Sequence, residues 1–274
     1  MAQKNKFLLG ADPELFIIDS KGNAYSAIGI IKGTKEKPFP ISKHGHSVQV
    51  DNVLLEFNVP PADKAKDMHT NINYILKWFE TAVPVGCKPH IVSSMRFDKR
   101  LLQSDKAKEF GCDPDFDAWR EAANESPNPD TNLRVAGGHI HISYPNGNDM
   151  DRAIALIKAC DLYLGVPSVL FDKDKDRRKM YGKAGAFRFK NYPDGSGGVE
   201  YRTLSNFWIK SSWYIEWIYE QVDKALTYIN ENPEINRDTP IGIDIVNAIN
   251  NGNEELALNI INKHNITKIP EGLI

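Results

Sequence analysis

The chain holds little that would tie it to an oxidising compartment, a membrane or a nucleic acid. Its three cysteines, Cys87, Cys112 and Cys160, are an odd number without a C-x-x-C pair. That argues against a disulfide framework or a zinc finger and fits a reducing compartment. No apolar run reads as reaching membrane-spanning length, and Met1 to Lys6 leads toward a strand without a secretory hydrophobic region. The net charge is only −2, so no surplus draws the whole molecule to nucleic acid or anionic lipid. These absences predict a cytoplasmic protein with neither nucleic acid nor membrane as partner. No G-x-x-x-x-G-K-[ST] loop occurs, since Gly182-Lys183 lacks its spacing and the following hydroxyl, so nucleotide binding by a P-loop is not expected. Internal repeats, heptads and low-complexity tracts are also missing. What remains is a chain of 274 residues, 41% hydrophobic, long enough for one sizeable core.

Read along its length, the chain predicts a strand over 7–18 with Pro13 as an edge or bulge, and a second strand over 47–59 ended by Pro60-Pro61. Apolar spacing over 67–83 predicts an amphipathic helix. Strand patterns follow at 89–94 and 134–144, and a helix over 151–164. The segments 186–190 and 199–204 read as a hairpin around the glycine-rich loop 191–198, which would bring Arg188 near Glu200 and Arg202. A long helix over 207–229 carries Trp213, Trp217 and Ile218 at core spacing. Phe110 to Trp119 reads as turn-rich, and 124–131 as a loop. The order predicts an α+β fold, a mostly antiparallel sheet with helices on one face. Two domains are expected: residues 1–232 as the catalytic unit, and 233–274 as a small helical appendage with helices over 241–249 and 254–262.

Three strand segments place ionic or metal-binding side chains two residues apart: Asp12 and Glu14, His139 and His141, Glu200 and Arg202. Side chains at i and i+2 of a strand share a face. Glu56 joins them from the second strand. Four carboxylates and two imidazoles on one surface call for cations, and oxygen-rich ligands suit magnesium better than zinc. Singly these patterns have plain explanations, a solvated acidic pair or an in-strand salt bridge. Jointly they offer carboxylates for cations and arginines for anions.

The runs L-G-A-D-P-E-L-F, L-L-E-F-N-V-P, G-G-H-I-H-I, R-R-K-M-Y-G-K-A-G-A-F-R and V-E-Y-R-T-L-S-N, in that order, resemble the phage phiEco32-like COOH–NH2 ligases of type 2. These belong to the glutamine synthetase and glutamate–cysteine ligase superfamily. The resemblance spans roughly residues 7 to 210. It implies a curved antiparallel sheet holding magnesium (or manganese) and ATP, and formation of an amide or peptide-like bond through an acyl phosphate with release of ADP and phosphate. By motif, Asp12, Glu14, Glu56, His139 and Glu200 would be metal ligands, with Glu56 also in the catalytic set. His141 would lie near the nucleotide and Arg202 on the transferred phosphoryl group. Arg177, Arg178, Arg188 and Lys183 would lie near phosphates, Arg188 among the catalytic residues. Asp12 departs from the larger relatives, which usually carry Glu there. The implied partners are a small-molecule or peptide carboxylate and an amine, in the host cytoplasm for a phage-encoded chain; their identity and the oligomeric state stay open. Two other readings stand beside this one: a cupin-like strand-based metalloenzyme, and a non-catalytic binding protein on the same fold.

Overall fold

The computed structural model describes residues 5–108, 115–124, 132–192, 195–231 and 236–267. The turn-rich segment 110–114 with Cys112, the loop 125–131, and Pro193-Asp194 of the hairpin loop lie outside the described residues. In chain order the first half forms β1 (Leu8–Ala11), β2 (Glu14–Ile18), β3 (Ala24–Tyr25), β4 (Phe39–Pro40), β5 (Ser47–Asp51), β6 (Leu54–Ala62), α1 (Ala65–Ala82), β7 (Lys88–His90), β8 (Ser94–Arg96) and α2 (Asp105–Lys108). The second half forms β9 (Phe116–Asp117), β10 (Ala122–Ala123), β11 (Leu133–Val135), β12 (Ile140–Ser143), α3 (Met150–Cys160), α4 (Val166–Phe171), α5 (Lys175–Met180), β13 (Ala186–Asn191), β14 (Gly197–Tyr201), α6 (Ser212–Glu231), α7 (Pro240–Asn251) and α8 (Glu254–His264).

Pro13 divides the first predicted strand. Having no N–H to donate, it interrupts the ladder. β1 runs against the C-terminal part of β6, with Ala11 opposite Val59, and β2 against its N-terminal part, with Glu14 opposite Glu56. The two halves then take different neighbours, β12 along β1 and β3 and β7 along β2. Asp12 sits at this parting. One antiparallel sheet results, ordered β10-β9-β13-β14-β12-β1-β6-β2-β3, with β5 on β6, β4 on β5 and β7 on β2.

Two expectations about the second strand are corrected. Residues 47–59 are a hairpin, turned at Asn52 in the left-handed region (φ 53°). Pro60-Pro61 does not end β6, which continues to Ala62 beside the register shift in β1.

Helices α1, α3 and α6 cover one face of the sheet. Ile72, Ile75 and Phe79 of α1, Leu156 and Ile157 of α3, and Ile218 and Val222 of α6 meet Leu15, Phe57, Ile142 and Val199 from the strands. Trp217 and Ile218 are core, as their spacing predicts, and Trp213 packs at its margin. α3, a π-helical turn at Asp161–Gly165, and α4 form one continuous run, Met150–Phe171, of 22 residues. By length and composition it could cross a membrane, contrary to the sequence expectation. Here it is a core helix, with Leu156, Ile157 and Leu164 wholly buried. α7 and α8 pack on α4, and Ile245, Ile249, Ile260 and Ile261 share a second core with Val166, Leu170 and Trp119. The opposite face of the sheet carries the polar pairs.

Candidate active site

Register brings the separated motifs together. Across β1, β12, β14 and β13, Gly10 lies opposite His141, His141 opposite Glu200, and Glu200 opposite Arg188. The glycine before the first histidine is required by close packing: a Cβ at Gly137 would collide with the His139 imidazole, and one at Gly138 with the Ser205 carbonyl. The Gly137 N–H donates to Glu14 Oε2 at 2.7 Å. The two halves of the first strand and the histidine strand are thereby locked.

The resulting cavity of about 190 Å³ is lined by Asp12, Glu14, Glu56, His139, His141, Arg188, Glu200 and Arg202. Six of the predicted positions fall on the four neighbouring strands β1, β12, β14 and β13 or at their ends, Glu14 stands at the start of β2, and Glu56 enters from β6. Asp12 is the hub, with Oδ1 3.4 Å from His139 Nδ1 and Oδ2 3.2 Å from His141 Nε2. Glu200 is held by Arg202 and by Lys190 Nζ at 2.6 Å, with Arg188 Nη1 3.8 Å away. Arg202 Nε donates to Asp115 Oδ2 at 3.1 Å.

The same cavity contains residues outside the predicted site set: Gln49, Asp51, Lys35, Lys190, and Asn58, whose parity already put it on the face of Glu56. Gln49 donates through Nε2 to Glu56 Oε2 at 2.7 Å and accepts from Asn58 Nδ2 at 3.1 Å. The turn at Asn52 would have revealed Gln49 and Asp51. It reverses the chain, so that Gln49 and Glu56 lie opposite each other and share a face.

The carboxylates divide into two groups. Burial, then the charge of Asp51, pushes Glu14 up to about 8 against the pull of the Gly137 N–H. Burial and the surrounding carboxylates hold Glu56 well above its ordinary range, and burial raises Asp51. Burial also works to raise Asp12 and Glu200, but there it is outweighed. His141 and His139 bring Asp12 well below its usual value, and Arg202 with the two imidazoles brings Glu200 to about 2. Burial and Arg202 lower His139. Crowded acids that resist ionisation are what a site built around cations shows before the cation is counted.

A divalent ion fits this donor set. Asp12, His141 and Glu200 each offer a ligand atom, all within 4.8 Å of one another. Asp12 Oδ1 and His141 Nε2 are buried without a hydrogen bond of proper geometry. The imidazole in this tightest set is His141, whereas the resemblance gives the metal to His139; both rings face Asp12.

Two expected phosphate contacts are not at the site. Arg177, 1% exposed, gives its guanidinium to the carbonyls of Ala136, Thr203 and Leu204 at 2.8–3.1 Å. A Cβ at Gly182, in the left-handed region at φ 69°, would collide with that guanidinium. Arg178, 3% exposed, donates to Ser168 Oγ at 3.2 Å. Arg177 is a structural tie, since a guanidinium spent on buried carbonyls has no fork left for a phosphate, and Arg178 lies buried among the residues of α4, outside the lining of the cavity. Lys183 is exposed and lines a neighbouring cavity.

Solved structures with a similar overall course include a bifunctional glutathione synthetase from Pasteurella multocida (10% identity, 95% of this chain and 49% of that one, TM-score 0.46). A GmaS/ADP complex matches at 12% identity over 94% of this chain and 64% of that one, TM-score 0.44. A structure described as a novel glutamine synthase homolog matches at 10% identity over 99% and 68%, TM-score 0.43. The chain spans about half the length of the first of these. No curated protein matches. Residues 130–263, just under half of the chain, match the model of the family described as "Phage phiEco32-like COOH.NH2 ligase-type 2". That segment contains G-G-H-I-H-I, R-R-K-M-Y-G-K-A-G-A-F-R and V-E-Y-R-T-L-S-N, and over it the chain is similar to the phage phiEco32-like COOH–NH2 ligases of type 2.

Proposed function

We propose that this protein is an ATP- and magnesium-dependent carboxylate–amine ligase that works through an acyl phosphate. The observation that carries the reading is the convergence, in one cavity, of an acidic and imidazole set with a cationic set: Asp12, Glu14, Glu56, His141 and Glu200 beside Arg188, Lys190 and Arg202. The first set would hold the metal. Magnesium, or manganese, held there would supply charge neutralisation at the phosphates.

A carboxylate is a poor electrophile, so amide formation needs activation. The substrate's carboxylate oxygen attacks the γ-phosphorus of ATP and the β–γ bridging oxygen leaves with ADP. The amine nitrogen then attacks the acyl carbon, phosphate departs, and the nitrogen loses its proton. Arg188 and Arg202 bring guanidinium charge to the cavity, Arg202 held by Asp115 and Glu200, and that charge would stabilise the transferred phosphoryl group. Glu200 orients them, lying between Arg188, Lys190 and Arg202. No covalent nucleophile is needed.

The open, one-layered sheet with helices on one face is unlike the double-sheet roll of a cupin. A screen of carboxylates with ATP, magnesium and hydroxylamine tests the reading, because an acyl phosphate yields a hydroxamate with this small nucleophile. The expected products are hydroxamate, ADP and phosphate. AMP with pyrophosphate would refute the mechanism, and no turnover across a broad set would favour a binding protein.

A further inference from the structure

A second cavity, of about 290 Å³, opens on the same face of the sheet. Ala186 lines it and Arg188 lines the first, and these two are i and i+2 on β13. The two chambers are therefore lined by residues roughly 7 Å apart along one strand, at about 3.4 Å per strand residue. Asp115 lines the second chamber and pairs with Arg202, which lines the first, so this ion pair is the wall between them.

The charge of the second chamber is uneven. Its carboxylates are already engaged, Asp115 by Arg202 and Asp117 by Arg120 at 2.6 Å. Its other cations, Lys183 and Arg237, have no acidic partner among the described residues. Asn250 accepts from the Ala184 N–H through Oδ1 at 2.8 Å, which leaves its amide N–H groups as donors. The loop carrying Lys183 is fixed on every side. Its carbonyl lies 3.0 Å from Thr203 Oγ1, a hydroxyl it shares with Asp161, and the Gly185 N–H donates to Asp161 at 2.6 Å. Trp119, 4% exposed, forms an apolar wall. This is a built chamber with two cations uncommitted among the described residues and an amide donor.

We infer that this chamber binds a carboxylate that does not react, carried by one of the two substrates at a distance of roughly 7–10 Å from the reacting group, a span set by the strand spacing. The inference rests on the ligase reading for what happens in the first chamber. It reassigns Lys183 from the nucleotide to the substrate. The carboxylate can belong to the acid substrate or to the amine substrate, and the experiment separates the two.

Binding is measured by calorimetry on the full chain without ATP, using α,ω-dicarboxylates of four to eight carbons against their monomethyl esters, and ω-amino acids of the same lengths against their methyl esters. The parent should favour the free acid at least tenfold in one series. Preference among the dicarboxylates assigns the group to the acid substrate, and preference among the amino acids to the amine substrate. Lys183→Met and Arg237→Gln should each remove most of that preference while ATP affinity and melting temperature stay unchanged. Equal affinity for acid and ester in both series overturns the inference, as does preference retained in both variants. Loss of ATP affinity in Lys183→Met, with carboxylate binding intact, also overturns it and returns Lys183 to the nucleotide. A chain that shows the preference but never hydrolyses ATP would instead defeat the ligase reading and leave this one standing.

Discussion

Asp161 offers a sharp test of how the site is supported from behind. It opens the π-helical turn and is fully buried. Oδ2 accepts from Trp119 Nε1 and the Gly185 N–H, each at 2.6 Å, and Oδ1 accepts from Tyr201 OH at 2.7 Å and Thr203 Oγ1 at 3.2 Å. Tyr201 and Thr203 flank Arg202, so one carboxylate pins both neighbours of the residue proposed to meet the transferred phosphoryl group. Asp161→Asn keeps shape and one acceptor oxygen but sets an NH2 group against two donors. Each buried donor left unsatisfied costs about 1–3 kcal/mol, so about 4 kcal/mol in all is expected. At roughly 2–4 °C per kcal/mol for a chain of this size, the melting temperature should fall by roughly 10 °C. The loss should depend on pH. Burial pushes Asp161 up to about 7 although all four donors favour the charged form. The folded state therefore holds the proton more tightly than the unfolded chain, and this contribution to stability, complete below about pH 4, is lost as pH rises through about 7. Asparagine has no such term. The gap between parent and variant, followed by calorimetry or denaturant melts, should be widest near pH 5 and narrower at pH 8. A shift under 2 °C, or a gap that widens with pH, would refute the donor-cage argument.

Three further outcomes are expected. Magnesium should raise the parent's melting temperature and EDTA should reverse it, with the increment reduced in Glu14→Gln, Glu56→Gln and Glu200→Gln; a parent indifferent to both would remove the cation from the site. Arg202→Lys keeps a charge but loses the planar fork, so turnover should drop roughly 100-fold while ATP affinity by calorimetry changes less than about threefold. Ending the chain at residue 231 strips Ile245, Ile249, Ile260 and Ile261 from Val166 and Leu170; loss of a cooperative melt is expected, and an unchanged melt would show the last helices to be dispensable.

Much of the site was legible because a strand's period of two is strict. Asp12 with Glu14, His139 with His141, and Glu200 with Arg202 reach one cavity from short segments whose facing could be read directly. The long helices were legible from apolar spacing, and α1 and α6 lie where that spacing puts them. Turns were harder. Asn52 reverses the chain within what looked like one strand, and that hid Gln49 and Asp51. Arg177 and Arg178 read as phosphate contacts because sequence shows a guanidinium but not its surroundings; only the packing of α5 shows Arg177 satisfied by the Thr203 and Leu204 carbonyls and Arg178 buried against Ser168. The helical run over 150–171 was misjudged for the converse reason, since a core helix and a membrane helix share a composition and differ in what surrounds them.

The parting of the first strand at Pro13 bears on how the protein assembles. Asp12, Glu56, His141 and Glu200 come from the beginning, the first quarter, the middle and the last third of the chain, and they meet only when β1, β6, β12 and β14 are all in register. No hairpin or helix pair contains even half of the set. Strand pairings between such distant segments form slowly and late, because loop closure must come first. Metal captured by this set is thus bound by the completed sheet and by nothing earlier, and its binding energy becomes energy of the global fold. Amide hydrogen exchange should show the ion protecting strands on both sides of the parting to the same extent, as one cooperative unit, where a loop-bound ion would quiet only its own neighbourhood.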